Sequence, residues 1–565
     1  YGFFLIFEKI IVFLQAVKNV KKTHHEHTFI MHNIPMTHTT NHVLKNYSRI
    51  VCLMSMFLLS IVIYAQQSVH INTPETWVKT DLNSYIGQTI SFTNRWYVCS
   101  NYGGKYTISP RRIYSPTNQV LPGSSEYSST LSLNYNGTIQ ITGISDYHRT
   151  GEILHNLTVK VNNGSLQFIS GDWIGNSRAD MEKGYDSLSI DYKGKHDVLV
   201  CAMNLEYYLV ESFGTGYGPD DASDHAKQRA KVSKALAKIN ADLYGLVEIE
   251  QGQSALREIA QDLTRNTGRP FAFVNDGGSA NGSYTKAGYV YCSDVIEPKG
   301  TLRVNNTGVR NRKYMQLFEH KQSGERFIYS INHFKAKSGS GSGGDADQGD
   351  GQGSYNAARV KESASVLTQY RNNRTLYQEN DILIMGDLNA YGKEDPIRLL
   401  VDSGMTDLHR YFHADSSYSY TYRNEAGYLD HALCNSTLLP QVTGMVAYHI
   451  NSDELDQYTY DKSNDQTMFR SSDHDPVLVG LKLSAVSTLT PVINTMDVLL
   501  NRSNICIKNA AGGYVRIYSI NGNLIAQKKI DSDLFTVQTG TLPCGMYIIH
   551  LFHNQQLKRV KMLVQ

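Results

Sequence analysis

Three things are scarce in this 565-residue chain: clustered cysteine, net charge and long apolar runs. The seven cysteines, Cys52, Cys99, Cys201, Cys292, Cys434, Cys506 and Cys544, are scattered, and no two stand in a C-x-x-C pair. That spacing excludes a zinc cluster of the usual kind and a dense disulfide scaffold. Cys506 with Cys544 is the disulfide candidate. The formal net charge is +2. Residues 1–65 hold six basic residues against Glu8 and Glu26, which leaves about −2 for everything after them. No global basic field is therefore available to hold a polyanion. An enzyme of such a substrate would need a bound cation and local lysines and arginines. One apolar run stands out, 50–64, and it falls short of the ~20 residues that span a bilayer.

What is present is ordinary globular material: 41% hydrophobic and 19% charged residues, enough length for two to four domains. The chain begins at Tyr1, and residues 1–30 read as sequence upstream of a start at Met31 or Met36. Lys45 and Arg49, the apolar run and Ala65 then have the order of a secretory signal, so residues 1–65 are expected to be absent from the mature protein. Residues 66–192 read as β-rich. Short alternating runs lie between turn signals such as Gly103-Gly104, Pro122-Gly123, Asn136-Gly137 and 162–164, without long helical periodicity. A small barrel or sandwich is expected there.

Residues 195–483 change character. Strand-like runs at 198–203, 244–249, 327–332 and 381–385 alternate with helical patterns at 223–239, 254–266 and 356–370. This predicts an α/β domain. A Gly/Ser/Asp-rich loop, 338–354, interrupts it. Asp345, Asp347 and Asp350 could bind calcium, but no glutamate closes an EF-hand pattern. Residues 484–497 form a Ser/Thr/Pro linker. The tail, 498–565, is again β-rich, with Asn521-Gly522 as a hairpin signal.

Polar residues recur where the apolar strands of 195–483 end: Asn204, Glu248, His333, Asp387 with Asn389, Asp430, and Asp473-His474. Any one of them alone reads as a turn or cap residue. All of them in order, each against a buried strand, point to a site built at strand ends. The order N…E…H…GDxNA…DH…SDHDP resembles the endonuclease/exonuclease/phosphatase superfamily, the DNase-I-like fold. The run 331–337, the run 349–356 with Arg359, and Lys286-Ala287-Gly288-Tyr289-Val290-Tyr291 are similar to its secreted bacterial nuclease branch.

The resemblance implies a multidomain protein whose catalytic domain is a four-layer α/β sandwich, flanked by a small N-terminal β-barrel and a C-terminal β-sandwich. It implies that Glu248, Asn204 and Asp473 hold Mg²⁺, with Mn²⁺ or Ca²⁺ as alternatives, because hard cations take oxygen ligands. His474 would be the general base, held by Asp430. His333 would face the scissile phosphate, and Asp387 and Asn389 would orient the nucleophile. Lys335, Asn356 and Arg359 would bind substrate.

The barrel region resembles an OB-fold-like domain through 85–90 and Tyr97-Val98. Trp96, Tyr97, Tyr102, Tyr106, Arg111, Arg112 and Tyr114 would suit a single-strand platform, or would serve as core and surface of a rigid spacer. The tail resembles the sorting domain of the type IX secretion system through 515–522, 542–547 and 558–561. The implied activity is extracellular hydrolysis of DNA, or of RNA, by a protein exported through the periplasm. A sphingomyelinase or sugar-phosphate phosphatase with the same residues, and a non-enzymatic nucleic-acid-binding surface protein, remain the alternatives.

Overall fold

The computed structural model describes residues 67–483, without 279–283 and 309–311, and residues 497–564, without 501–503, 520–523, 533, 540–541, 544 and 554–555. The signal segment, most of the linker, Cys52, Cys544 and Asn521-Gly522 lie outside the described residues. These residues divide into two compact units, 67–483 and 497–564.

The first unit opens with a barrel. The strands Trp96–Tyr102, Lys105–Ser109, Ile139–Thr142, Ser165–Ile174 and Ile153–Asn162 pair in that order, and the last returns to the first. All contacts are antiparallel except the one between Ile139–Thr142 and Ser165–Ile174. Trp96, Ile108, Ile141, Leu154 and Val159 fill the interior. Within this β-rich region, where no long helix is expected, a twelve-residue helix, Ser125–Asn136, follows the Pro122-Gly123 turn. Its Ser, Thr and Asn content and largely exposed faces leave no apolar stripe to read. Ser124 caps it by accepting from the Tyr127 amide.

Two six-stranded sheets follow, packed face to face. The first has the order Phe271–Phe273, Thr285–Cys292, Leu243–Glu250, Val198–Tyr208, Val477–Leu481, Val442–Ala447. The second has the order Ile296–Val304, Lys313–His320, Arg326–His333, Ile382–Asp387, Asp430–Asn435, Met405–Asp407. Val200, Val247, Val479, Tyr329, Ile331 and Met385 meet between them. The helices Ala222–Ile239 and Ser254–Thr267 bury Val232, Leu236, Ile259 and Leu263 on the outside of the first sheet. The helices Asn356–Tyr377 and Asp395–Asp402 cover the second through Val366, Leu367 and Ile397. The result is a four-layer α/β/β/α sandwich, in which strands buried on both faces explain the continuous apolar runs of the sequence.

In the second unit, a three-stranded and a four-stranded sheet share one core of Ile505, Ile507, Val515, Ile517, Ile549 and Leu551. No helix among the described residues is long and apolar enough to cross a membrane.

Candidate active site

Strand register assembles the site. In the second sheet, His333 lies beside Asp387 and Asp387 beside Asp430, across three adjacent strands. Gly386 makes this possible. At φ +118° its α-carbon passes so close to Asn332 that an added β-carbon would lie 2.1 Å from the Asn332 carbonyl oxygen. In the first sheet, the parallel pair Val198–Tyr208 and Leu243–Glu250 sets Asn204 opposite Val247, next to Glu248. The loop leading into Val477–Leu481 brings Asp473 and His474.

His474 Nδ1 donates to Asp430 Oδ2 at 2.7 Å. The same carboxylate oxygen accepts from Ser419 Oγ at 2.7 Å, and Ser419 Oγ in turn accepts from the Asp430 amide. Tyr420 stacks on the imidazole with ring centroids 4.6 Å apart. Nε2 of His474 stands 3.9 Å from Asp387 Oδ2 and 4.0 Å from Asp473 Oδ2. Burial works against a charged imidazole here, but Asp430, Asp473 and Asp387 outweigh it and hold His474 protonated well above the ordinary range.

His333 behaves in the opposite way. Burial, and then Arg312, His474, Lys313 and Lys335, drive its pKa well down. Its Nε2 lies 3.5 Å from Glu248 Oε1 and 3.7 Å from Asp387 Oδ2, so the carboxylates beside it come from two different strands. Asp387 Oδ2 also accepts from Asn204 Nδ2 at 3.2 Å and Asn389 Nδ2 at 3.1 Å. Glu248 and Asn389 have φ of +58° and +49°, a conformation that costs energy for residues other than glycine and concentrates at functional sites.

A cavity of about 340 Å³ opens beside His474, lined among others by Asn204, Glu206, Glu248 and Asp473. Burial, and next the Asp473 charge, push Glu248 up to about 7. Glu206, absent from the sequence reading, is raised for the same two reasons. Carboxylates that resist ionising side by side, with an amide oxygen among them, form an oxygen-rich donor set suited to a hard divalent cation. Asp387, Asp430 and His474 also bring their donor atoms within 4.8 Å of one another. There the His474 Nδ1 proton is committed to Asp430.

Other expected residues sit elsewhere, as do Glu250 and His431, the neighbours of Glu248 and Asp430 in the sequence. Arg359 is fully buried, and its guanidinium donates to the carbonyls of Gln352, Ser354 and Lys335, so it braces the glycine-rich loop and offers nothing to a substrate. Asn356 Nδ2 donates to Asp395 at 3.1 Å. Lys335 is half-buried, with Nζ 4.1 Å over the Tyr355 ring. Glu250 accepts from the amides of Val210, Glu211 and Ser212, fixing the turn after the first strand. His431 donates to or accepts from nothing in the pocket; its Nε2 meets the Ala390 carbonyl. Asp345, Asp347 and Asp350 each accept from amides of their own loop or the following helix.

In the barrel, Trp96 and Tyr106 are buried core. Arg111 donates to three carbonyls, and Arg112 pairs with Asp453 at 2.9 Å. Of the two readings of these residues, their burial and partners favour core and surface of a spacer over a single-strand platform, with Tyr102 alone among them standing well exposed. Arg312, Ser419 and Tyr420 went unread. The basic run Arg310-Asn311-Arg312-Lys313 was the available signal for the first; the other two sit in a short hairpin without a motif.

The strand ends thus bring a buried His–Asp pair beside an oxygen-donor pocket. Residues 210–474 match the endonuclease/exonuclease/phosphatase family, and residues 491–565 match the secretion system C-terminal sorting domain. The chain thus carries a phosphoester-hydrolase domain of that family and a sorting domain that directs it through the type IX system to the cell surface or beyond.

Among solved structures, the endonuclease/exonuclease/phosphatase from Bacteroides vulgatus is similar at 17% identity and TM-score 0.35, over 51% of this chain and 99% of that one. The human nocturnin catalytic domain is similar at 14% and 0.34, over 51% and 94%. The Bacteroides thetaiotaomicron mannosyl-6-phosphatase is similar at 13% and 0.35, over 50% and 99%. No curated protein matches the chain.

Proposed function

We propose that this protein is a secreted, divalent-metal-dependent phosphodiesterase that hydrolyses DNA internally. The observation that carries the reading is the convergence of the Asp430–His474 relay and the Glu248 pocket on one set of strand ends. Glu248, Asn204 and Asp473 would hold the cation, with Glu206 near enough to contribute. When bound, Mg²⁺ supplies charge neutralisation for the phosphate.

The remaining chemistry belongs to the chain. Asp430 fixes His474 with Nδ1–H toward itself; with the charge of a bound cation set against the carboxylates that otherwise keep the imidazole protonated, Nε2 would be free to take the proton from the attacking water. Asp387, held by Asn204 and Asn389, aligns that water. His333, kept neutral, can donate one hydrogen bond to a phosphate oxygen without repelling the cation. Arg312 and Lys335, whose charges act on His333, stand ready for the flanking phosphates. The five-stranded barrel, with its one parallel contact between Ile139–Thr142 and Ser165–Ile174, supports the OB-fold-like reading.

The test is incubation of the protein with supercoiled plasmid, with Mg²⁺ and with chelator, beside His474→Ala. Metal-dependent nicking lost in the variant is expected. An intact plasmid under every cation, with hydrolysis of RNA, a phospholipid or a phosphate monoester instead, would replace DNA as the substrate.

A further inference from the structure

We propose that the cleft between the barrel and the sandwich is a subsite for single-stranded nucleic acid that feeds the catalytic pocket. This rests on the nuclease reading above and adds a site to it. A cavity of about 670 Å³ lies at this junction, within the size range of ligand-binding clefts. Lys79, Tyr127 and Tyr135 line it from the barrel side; Lys337, Tyr391 and Tyr422 line it from the sandwich.

Three segments run from catalytic residues straight to its wall. His333 is followed four residues later by Lys337, and Asn389 two residues later by Tyr391. The third is the hairpin of Tyr420–Tyr422 and Glu425–Gly427. Its Tyr420 stacks on His474, and Tyr422 stacks in turn on Tyr420 with centroids 6.4 Å apart. The hairpin also joins the barrel. The Ala426 amide donates to the Ile113 carbonyl at 3.0 Å, and the Ser115 amide donates to the Ala426 carbonyl at 2.9 Å.

The chemistry of the wall is that of a strand track: aromatic rings for bases, cations for phosphates. Tyr135 is 72% exposed and Tyr422 52%, which an interface built only for packing would have covered. Each carries a cation on one face, Lys79 Nζ 4.5 Å and the Arg423 guanidinium 5.2 Å from the ring centroid. The second face of Tyr135 is left for a base, while Tyr422, stacked on Tyr420, offers its exposed edge beside the Arg423 charge. Arg423 also holds a φ of +48° at the hairpin turn, a position where Asn, Asp or Gly is the usual choice. Anionic opposition is muted: Glu425 accepts from Asn134 and is pushed toward neutrality by burial, and the Glu394 carboxylate is taken up by Lys337. Paired bases cannot offer their faces to such rings, so the occupant is an unpaired strand.

The test uses the full chain as wild type, Tyr135→Ala/Tyr422→Ala, Tyr135→Phe/Tyr422→Phe and Lys79→Ala/Arg423→Ala. Anisotropy of labelled oligothymidylate in chelator gives Kd without cleavage. Hydrolysis of bis(p-nitrophenyl) phosphate reports the catalytic pocket alone. Loss of both rings should raise Kd for the oligonucleotide, and KM on long single strands, about tenfold or more. The phenylalanine pair should restore both. The Lys79/Arg423 pair should flatten the salt dependence by about one phosphate contact or more. The small diester should be turned over unchanged by all three variants.

Wild-type cleavage of DNA with Kd and KM unmoved in every variant would overturn the subsite and leave the nuclease standing. Tight binding of a neutral oligosaccharide in place of the oligonucleotide would also overturn it. A wild type that turns over the small diester but neither binds nor cuts DNA would remove the nuclease reading and the subsite together.

Discussion

Asp430 opens a strand of one sheet and His474 lies in the loop entering a strand of the other, yet Asp430 Oδ2 and His474 Nδ1 lie 2.7 Å apart. The hydrogen bond thus ties the two sheets together at the edge where the chemistry is proposed. Replacing the carboxylate by an amide keeps the shape but permits the wrong tautomer. Asp430→Asn should lower kcat about 10³–10⁴-fold with little change in KM, as such pairs do elsewhere. His474→Ala should cost at least as much, and the double variant little more than His474→Ala alone, because the two act as a unit. Single-turnover rates with a plasmid substrate check both. A loss confined to KM would show that the pair merely positions substrate.

The crowded carboxylates give a second expectation. Glu248 sits at about 7 because burial and Asp473 make its charge costly, and a cation there removes both penalties. Mg²⁺ or Mn²⁺ should therefore raise the melting temperature, by an amount set by concentration over Kd. Glu248→Gln should abolish that rise and the activity together while leaving the metal-free protein at least as stable as wild type. Calorimetry with and without metal is decisive. A variant that still shows the full upshift would place the cation elsewhere.

Much of this site was legible because its chemistry is written at strand ends. Asn204, Glu248, His333, Asp387 and Asp430 each follow or close an apolar run and His474 precedes one, and two-faced burial makes such runs unambiguous. The helices with apolar stripes, such as Ala222–Ile239 with Val232, Leu236 and Ile239, were readable for the same reason. What escaped was long-range. Ser419 reaches Asp430 across a loop, and Ser125–Asn136 is a helix stabilised by its cap and its place at the junction, not by periodicity. Arg359 shows the converse error. An arginine near a site motif reads as a phosphate ligand, while burial against three carbonyls makes it a brace.

That contrast between arginines is measurable. Arg359→Ala should leave three carbonyls without their donor and destabilise the fold by a few kcal/mol, roughly 2–4. Any loss of activity should then follow unfolding. Arg312→Ala should leave the melting temperature within a degree or two, about 0.5 kcal/mol, and raise KM or lower kcat for DNA. Paired melting and kinetic measurements separate the two. An Arg359 variant that folds as wild type but fails to bind DNA would return it to the substrate-binding set.

Acid should weaken the junction between barrel and sandwich. Asp453 is buried there and accepts from Arg112 at 2.9 Å, Thr150 at 2.7 Å, Asn176 at 2.9 Å and Tyr418 at 2.7 Å. Burial alone would raise its pKa, but Arg112, Arg149 and His449, with the Asn176 hydrogen bond, outweigh burial and hold it well below the ordinary carboxylate value. A depressed folded pKa contributes stability that is complete above the unfolded value, ~3.9, and is lost as pH falls through the folded one. Asp453→Asn removes that contribution and leaves Arg112 buried without a counter-charge. It should cost about 3–5 kcal/mol at pH 7, and the gap to wild type should close steadily below about pH 4. All three tryptophans, Trp77, Trp96 and Trp173, lie in the barrel region, so their fluorescence during denaturation reports the unit that Asp453 anchors. A gap that stays constant from pH 7 to pH 3 would mean that Asp453 keeps its partners without holding their charge.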